Sequence, residues 1–335
     1  MIDLAETYAG KRVLITGGLG FIGSNLAHRL VGLDADVAIV DALVPGCGGN
    51  LFNLDGIRSR VGVHIGDISN PDTVGALIGG KHFIFNLAGH RSHVGALADP
   101  QLDLRINCQS HLGLLDACRT GNPSAAILFA GTRSQYGRAA RLPVDESHSL
   151  HPVDINGMHK LVGEFYHLFY WRLYGLPVRC LRLTNTFGPR HPMEHSRQGF
   201  LHWFIRLAMN NRPIPIYGDG KQLRDFNYVD DVVQAMLLAL ATDRTKGRVF
   251  NLGGGRPISV LEAAEAVVLA CRGGRIDHVE VLRDSREIEV GDYWADCRAF
   301  HEATGWRPAV PFEEGLDRTV QFYRARGEHY WGNTR

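Results

Sequence analysis

Three glycines, spaced three residues apart after the first apolar run, constrain the fold of this chain more than any other feature. Residues 13–15 are apolar and lead into Gly17, Gly20 and Gly23, and an amphipathic helix pattern follows. Because glycine has no Cβ, the backbone can turn sharply there and approach a ligand closely. The first turn of the next helix presents unpaired N–H groups and a positive dipole end, so the pattern predicts a pyrophosphate site. The alternative is a strand-to-helix turn that needs these glycines only for packing.

A second apolar run, residues 37–40, ends in Asp41 at the separation expected within one strand–helix–strand unit. A carboxylate at this place can accept both ribose hydroxyls of an adenosine and would repel a 2′-phosphate. Residues 42–44 contain no arginine that could bind such a phosphate. The alternative is an ordinary surface aspartate at a strand end. Together with the glycines, Asp41 predicts NAD rather than NADP as the cofactor.

The composition excludes several other classes of protein. The 335 residues are enough for two domains, or for one large α/β domain with an added lobe. A net charge of +1 gives no reason to expect a nucleic acid or an anionic membrane as a partner. The six cysteines show no metal-binding spacing, so we expect no metal, reduced thiols and a cytoplasmic location. We find no signal-peptide pattern and no apolar run long enough to cross a bilayer.

Apolar strand candidates alternate with helical patterns over the first half of the chain. This alternation predicts an α/β fold with a doubly wound parallel sheet and helices on both faces. Beyond residue 183 the pattern becomes irregular, which predicts a smaller C-terminal α/β lobe. We therefore predict a dinucleotide-binding domain of residues 1–183 plus 224–256, and a substrate lobe of residues 184–223 plus 257–335. The strand candidates are residues 12–16, 36–41, 61–66, 83–88, 125–130 and 178–183.

Ligands on such sheets bind at the carboxyl ends of the strands. The third strand candidate ends at Asp67, which could reach an adenine amino group, although a helix N-cap at Asp67 or Ser69 is the alternative. Leu87 and Ala88 follow the fourth candidate and would let a cofactor lie close. The fifth candidate runs into Thr132, whose hydroxyl would point into the cleft.

Ordered motifs along nearly the whole chain carry a family resemblance. The chain resembles the extended short-chain dehydrogenase/reductases that act on nucleotide-diphosphate sugars, such as 4-epimerases and 4,6-dehydratases, which have a Rossmann fold. The matching segments are 16–23, Gly66-Asp67-Ile68, Asn86-Leu87-Ala88-Gly89, Asp99-Pro100, Asn107, Tyr136-Gly137, Arg182 with Asn185 and Gly188-Pro189, Arg224-Asp225-Phe226 with Tyr228-Val229, Phe250-Asn251 with Gly253, and Gly305-Trp306 with Pro308.

The resemblance assigns roles to two residues and shows one departure. It implies that Thr132 hydrogen-bonds the sugar C4 oxygen and that Lys160 binds the nicotinamide ribose. The family's catalytic tyrosine lies four residues before this lysine, where the chain has Asn156. A carboxamide cannot accept a proton at neutral pH. The only Tyr-x-x-x-Lys in the chain, Tyr217 to Lys221, lies in a glycine-containing turn and is not expected to replace it.

Three hypotheses remain for the missing base. His93, on a loop that faces the substrate in relatives, could take its place, although a lone loop histidine is often only a surface residue. Lys160 itself, or a water held by Asn156 and Thr132, could relay the proton. Alternatively, the protein could bind NAD and a nucleotide sugar without turning the sugar over.

The resemblance also implies the substrate contacts. Asn185 would hold the sugar or its first phosphate, and Arg224 and Arg286 would clamp the diphosphate, since guanidinium groups bind phosphate oxygens well. Ion pairs with Asp225 or Asp284 are the alternative for these arginines. Tyr217 belongs by resemblance to the nucleotide-sugar lobe. The predicted cofactor contacts are Gly17, Gly20, Phe21, Ile22, Asp41, Asp67, Ile68, Leu87, Ala88 and Lys160.

The residues after Thr132 bear on the reaction type. A 4,6-dehydratase of this family has Asp-Glu directly after the threonine, whereas this chain has Arg133 and Ser134. We therefore predict a 4-epimerase that works through a transient 4-keto sugar, with a 4-ketoreductase or a dehydratase as alternatives. The helices predicted at 102–118 and 156–174 form the usual dimer contact in relatives, so we expect a homodimer.

Overall fold

The computed structural model describes residues 2–90, 93–280 and 291–331. Seven strands form one parallel sheet in which β4 lies in the middle beside β1, and five further strands form two small sheets. The strands are β1 (Arg12–Thr16), β2 (Asp36–Asp41), β3 (Val61–Ile65), β4 (Phe83–Asn86), β5 (Ala126–Thr132), β6 (Val178–Leu183), β7 (Asn185–Phe187), β8 (Pro213–Tyr217), β9 (Leu223–Tyr228), β10 (Val249–Leu252), β11 (Pro257–Ser259) and β12 (Arg275–Val279).

The large sheet has the order β10-β6-β5-β4-β1-β2-β3, and every pair of neighbours is parallel. Both faces are covered by helices, which is why the central strands are apolar throughout rather than alternating. In β1, Val13, Leu14 and Ile15 are all buried. The prediction of a doubly wound parallel sheet is confirmed.

The helices fall between the strands, as the alternating pattern predicts. The longest of them, residues 155–174, starts where Asp154 accepts a hydrogen bond from Gly157 N and ends at Gly175, a left-handed residue with φ +72°. The helices are α1 (Leu4–Tyr8), α2 (Phe21–Val31), α3 (Pro71–Ile78), α4 (His93–Ala98), α5 (Pro100–Leu104), α6 (Ser110–Gly121), α7 (Ile155–Tyr174), α8 (Phe200–Met209), α9 (Val229–Leu240), α10 (Val260–Cys271), α11 (Arg298–Thr304), α12 (Phe312–Arg326) and α13 (Glu328–Trp331).

The single helix expected at 102–118 is instead a sequence of three segments. Asp99 caps α5, a π-helical turn covers Arg105–Gln109, and α6 follows. Such π turns are often found at functional sites, because the extra residue reorients side chains. Here the turn contains Asn107, whose side chain accepts a hydrogen bond from His90 N and donates one to His90 O.

The smaller sheets come from the second half of the chain. One has the order β11-β9-β7 and the other pairs β12 with β8. Strand β9 lies in a small sheet, whereas β10 lies at the edge of the large one. The division into two domains stays a prediction. No helix in the described ranges is both long enough and apolar enough to cross a membrane.

Candidate active site

A cavity of about 330 Å³ follows the carboxyl ends of the central strands of the large sheet. It begins at the glycine turn after β1 and reaches Thr132 at the end of β5 and Lys160 on α7. This is the edge at which ligands bind in open α/β sheets. The predicted site residues on its wall are Gly17, Gly20, Phe21, Ile22, Asp41, Asp67, Ile68, Leu87, Ala88, Thr132, Asn156 and Lys160.

The glycine turn is packed too closely for side chains. Gly17 has φ +67°, and a Cβ there would lie 2.8 Å from Ala88 Cα. A Cβ on Gly23 would lie 2.5 Å from Gly17 O. Helix α2 begins at Phe21 directly after the turn, so its free N–H groups face the cavity. Packing therefore requires some of these glycines, and the same arrangement fits a pyrophosphate at the helix start.

Asp41 ends β2 on the cavity wall. Leu43 N donates to its Oδ1 at 2.9 Å and Leu19 N donates to its Oδ2 at 3.1 Å. Burial raises the pKa of Asp41, and these backbone hydrogen bonds oppose the rise. The carboxylate is thus held beside the glycine turn, where an adenosine ribose would fit.

The walls formed by Asp67 and by residues 87–88 are fixed by local hydrogen bonds. Asp67 Oδ1 accepts a hydrogen bond from Ser69 N at 2.8 Å, and both Asp67 and Ile68 line the cavity. The N-cap of α3 is Asn70, so the alternative that Asp67 or Ser69 caps this helix is wrong. Strand β4 ends at Asn86, two residues earlier than expected, because the N–H groups of residues 87 and 88 donate to Thr16 Oγ1 instead of a neighbouring strand.

Thr132 is held in place through a chain of buried polar groups. Its N–H donates to Gln135 Oε1 at 2.7 Å. Gln135 Nε2 donates to Glu164 Oε2 at 2.8 Å, and Arg182 Nε donates to the same oxygen at 2.9 Å. Arg182 and Glu164 are both buried, so this pair is a charged anchor beneath the strand end. The short motifs of the sequence do not predict that Gln135 and Glu164 act together.

Asn156 occupies the position of the family's tyrosine and is bonded to its surroundings through its nitrogen. Asn156 Nδ2 donates to His90 O at 2.6 Å and to Asp103 Oδ2 at 3.0 Å. Both amide hydrogens are therefore used, which leaves Oδ1 as an acceptor. Asn156 is buried and lines the cavity. Its side chain can accept a hydrogen bond there but cannot take a proton.

Asp103 is fully buried and organises the groups behind Asn156. His90 Nδ1 donates to its Oδ2 at 2.8 Å, and His159 Nδ1 donates to its Oδ1 at 2.7 Å. Burial alone would raise the pKa of Asp103, but the hydrogen bonds around it outweigh this and hold the pKa well below its usual range. Asp103 is thus an anion, and Asn156 connects its carboxylate to the cavity wall.

Lys160 lies one helical turn after Asn156 and is almost completely buried. Its Nζ lies 5.6 Å from the centre of the Phe129 ring and so close to Gly89 that a side chain at position 89 would collide with it. Burial lowers the pKa of Lys160 to about 8, and the charge of Asp103 opposes this shift. A substantial fraction of Lys160 is therefore neutral at mildly alkaline pH, so its amine can accept a proton.

Two neutral histidines lie beneath this end of the cavity. Asn86 Nδ2 donates to His111 Nδ1 at 3.0 Å and to His167 Nε2 at 3.2 Å, and Thr16 Oγ1 donates to Asn86 Oδ1 at 2.9 Å. The pKa of His167 is lowered from 6.5 to about 4, mainly by burial and to a smaller extent by the charge of Lys160, while the hydrogen bond to Gly163 O opposes the shift. The pKa of His111 is lowered as well, mainly by burial.

These histidines predict a loss of stability in acid. The unfolded chain takes up a proton on His167 near pH 6.5, whereas the folded chain resists until about pH 4. Stability from this residue is therefore complete above pH 6.5 and falls by about 3 kcal/mol as the pH reaches 4. Urea unfolding between pH 4 and 7.5 should show a shallower pH dependence for His167→Gln than for the wild type. The exposed His64→Gln is the control, and equal slopes for all three proteins would contradict the prediction.

Apart from Thr132, the predicted substrate residues Asn185, Arg224 and Tyr217 are not on the cavity wall. Asn185 begins β7, and its Oδ1 is buried with no partner among the described residues. Arg224 is buried in β9 and donates to Leu223 O and Gly291 O. Tyr217 ends β8 and is exposed. Their roles stay predictions.

The remaining site predictions cannot be placed. Arg286 lies outside the described residues, and although His93 begins α4, its side chain lies outside them too. Lys221 is exposed and lies beside Asp219, an environment that does not suit a catalytic lysine. Gly218 and Gly220, both with positive φ, lie between Tyr217 and Lys221, which explains why these two residues do not form a helical pair.

Comparisons with known proteins agree with this architecture. Residues 13–253 match the model of the NAD dependent epimerase/dehydratase family. A UDP-glucose 4-epimerase from Mycolicibacterium smegmatis is 31% identical over 322 residues, covering 95% of this chain and 100% of the relative. A UDP-glucuronic acid decarboxylase 1 from Xenopus tropicalis is 32% identical over 330 residues, covering 96% and 74%.

A solved structure is similar over nearly the whole chain. The UDP-glucose 4-epimerase from Thermotoga maritima, determined with UDP-glucose, has a TM-score of 0.86 and 28% identity, and the match covers 95% of this chain and 100% of that one. The chain belongs to the NAD dependent epimerase/dehydratase family. The resemblance seen in the sequence is confirmed, and so is NAD as the cofactor that the glycine turn and Asp41 predict.

Proposed function

We propose that the protein is an NAD-dependent 4-epimerase of a nucleotide-diphosphate sugar. The observation that carries this proposal is that one cavity contains the glycine turn and Asp41 at one end and Thr132 and Lys160 at the other. A dinucleotide placed along this wall would have its reactive end beside a hydroxyl and an amine. Those are the groups that oxidation of a sugar alcohol requires.

The proposed reaction needs a hydride acceptor and a proton acceptor. NAD held by the glycine turn and Asp41 would supply a reversible hydride acceptor for C4 of the sugar. Thr132 Oγ1 holds the C4 oxygen. Lys160 takes the hydroxyl proton as the carbonyl forms and gives it back when the hydride returns. Burial lowers the pKa of Lys160 to about 8, so this amine on the cavity wall can exchange a proton near the physiological pH range.

Asn156 and Asp103 support Lys160 in this account. With its nitrogen bound to His90 O and Asp103, Asn156 presents Oδ1 to the cavity as an acceptor that orients the sugar hydroxyl or the lysine. The Asp103 anion lies behind it and keeps Lys160 from losing its proton too readily. In this way an amide and a remote carboxylate take over the electrostatic part of the tyrosine's role.

The residues after Thr132 argue against dehydration. Arg133 lies over the Tyr293 ring, 5.3 Å from its centre, and Ser134 is buried with its N–H donating to Thr132 Oγ1. Neither side chain can protonate a leaving hydroxyl and remove a C5 proton in turn. A second candidate, binding of NAD and nucleotide sugar without turnover, is favoured only by the amide at position 156.

Turnover assays separate these two candidates. Purified protein with NAD is incubated separately with UDP-glucose, dTDP-glucose, CDP-glucose, GDP-mannose and ADP-glucose, and products are separated by ion-pair chromatography. The proposal predicts the 4-epimer of at least one sugar. Tight calorimetric binding of a nucleotide sugar with no product from any of them would instead support the binding protein.

We also propose that the protein is a homodimer. Phe165, Phe169 and Leu173 are spaced along one side of α7 and are 51%, 55% and 57% exposed. A contiguous apolar helix face of this kind is typical of a subunit interface. Phe169→Glu should therefore convert the protein from dimer to monomer in light scattering at micromolar concentration.

The control for the dimer is another exposed apolar residue. Leu269 is 79% exposed on α10, away from this face, so Leu269→Glu should leave the dimer intact. A wild-type protein that is monomeric at micromolar concentration would contradict the proposal.

A further inference from the structure

Buried polar side-chain atoms without hydrogen-bond partners are grouped where β6 and β7 meet the cavity. Thr184 Oγ1, Thr186 Oγ1 and both polar side-chain atoms of Asn227 have no partner among the described residues. Thr184 and Thr186 line the cavity that also contains Thr132. Asn227, in β9, is only 1% exposed. We call these three residues the unpartnered group.

The members of this group share one surface. Thr186 and Asn227 are partners in the parallel ladder between β7 and β9, and partners in such a ladder point to the same face. Neighbouring strands lie roughly 5 Å apart, so the Asn227 amide lies next to the Thr186 hydroxyl. Thr184 is joined to Thr186 through a short turn in which Thr186 N donates to Thr184 O at 2.9 Å. Thr184 and Thr186 are on the cavity wall and Asn227 is paired with Thr186 in the ladder, so a ligand bound against the two threonines would lie beside Asn227 as well.

Leaving such atoms without partners is unfavourable for the folded chain. A buried amide or hydroxyl that has lost water and gained no partner destabilises the fold, and native proteins seldom contain several together. This chain satisfies comparable threonines elsewhere. Thr245 Oγ1 donates to Ala239 O at 2.6 Å, and Thr319 Oγ1 donates to Gly315 O at 2.6 Å. The unpartnered group is thus a local exception beside the proposed reaction centre.

The chemistry of the group indicates its ligand. Two hydroxyls and an amide offer both donors and acceptors and carry no charge, which suits sugar hydroxyls better than phosphates. The nearest charged side chain on the same face of β9, Asp225, already accepts hydrogen bonds from Gly254 N at 2.6 Å and Ala295 N at 2.9 Å. We propose that Thr184, Thr186 and Asn227 recognise the hydroxyl groups of the sugar ring, and so decide which sugar the cavity accepts. This proposal rests on the proposed nucleotide-sugar function.

The test uses substitutions that keep size but remove hydrogen-bonding groups: Asn227→Leu, Thr186→Val and Thr184→Val. Because they remove polar atoms that lack partners, each should raise the Tm of the ligand-free protein, by about 2 °C, or leave it unchanged. Each should also weaken binding of the nucleotide sugar by about 10-fold in calorimetry. Binding of the matching nucleoside diphosphate, UDP against UDP-glucose for example, should stay the same. If Asn227→Leu does not fold, the two threonine variants still test the proposal.

Thr245→Val is the matched control, because that hydroxyl already has partners. It should lower the Tm and leave sugar binding unchanged. The proposal is overturned if the three variants lower the Tm like the control, if the sugar and the diphosphate lose affinity equally, or if neither loses any. A wild-type protein that converts nucleotide sugars while these variants bind them normally would refute only this inference. A wild type that binds none of the tested nucleotide sugars would refute the proposed function as well.

Discussion

Replacing Lys160 by methionine is expected to lower kcat by about 10³-fold, the size of effect that loss of a general base produces. The reason is that no neighbouring side chain that the structure describes can replace the amine as proton acceptor. Asn156 cannot accept a proton, and the neighbouring carboxylate of Asp103 is buried with its oxygens bonded to His90, His159 and Asn156. Methionine keeps the buried volume close to that of lysine, so the change removes the amine with little disturbance of packing.

The pH profile distinguishes a base from a group that only binds. A lysine with a pKa of about 8 is protonated below that pH and neutral above it, so wild-type kcat should rise between pH 7 and 9. Lys160→Met should remove this rise together with the activity. The exposed Lys221→Met should match the wild type in both. Retention of wild-type kcat by Lys160→Met would show that another group accepts the proton, with His93 and a water held by Asn156 and Thr132 as the remaining hypotheses.

Replacing Glu164 by glutamine should lower the free energy of unfolding by about 3–5 kcal/mol, because removing one partner of a buried ion pair leaves the other charge unpaired. Arg182 is buried and uses Nε and both terminal nitrogens on Glu164 and on Tyr136. Without the carboxylate, the guanidinium remains buried among groups that cannot neutralise it. Urea unfolding at pH 7.5 measures this loss.

The role of the Arg182–Glu164 ion pair can be checked with a control variant for stability and with a measurement of kcat. The exposed pair of Arg119 and Asp116 should contribute little, so Asp116→Asn should change stability by less than about 1 kcal/mol. Because Gln135 links Glu164 to Thr132, Glu164→Gln should also reduce kcat in protein that is still folded. Equal stabilities of Glu164→Gln and Asp116→Asn would contradict the role of this anchor.

The parts of the fold that follow local rules were predictable from the sequence. Glycine spacing, apolar runs and Asp41 indicate a parallel sheet and a dinucleotide site, and β1 and β2 have the expected bounds. The apolar periodicity of residues 102–118 predicts one helix, because a π turn changes the hydrogen-bond register without changing this periodicity much. The cap of α3 at Asn70 was missed because Asp67, Ser69 and Asn70 are all good capping residues.

The support of the candidate site could not be predicted in the same way. Asn156 meets Asp103 across 53 residues and His90 across 66 residues of chain. No motif spacing encodes contacts of this length, since they depend on how α4, α5 and the π turn pack against α7. The sequence shows that Asn156 stands where the family has a tyrosine. The structure shows the groups that surround this position: the Asp103 carboxylate and the imidazoles of His90 and His159.

The most direct test of the central claim follows the hydrogen on C4. A nucleotide sugar that the protein converts is prepared with deuterium at C4 and incubated with enzyme and NAD in ordinary water, and the product is examined by NMR. Removal and return of the same hydride within one cavity predicts a 4-epimer that keeps its deuterium at C4. A product in which solvent hydrogen has replaced the label, or a failure to convert any nucleotide sugar while NAD is bound, would contradict the account.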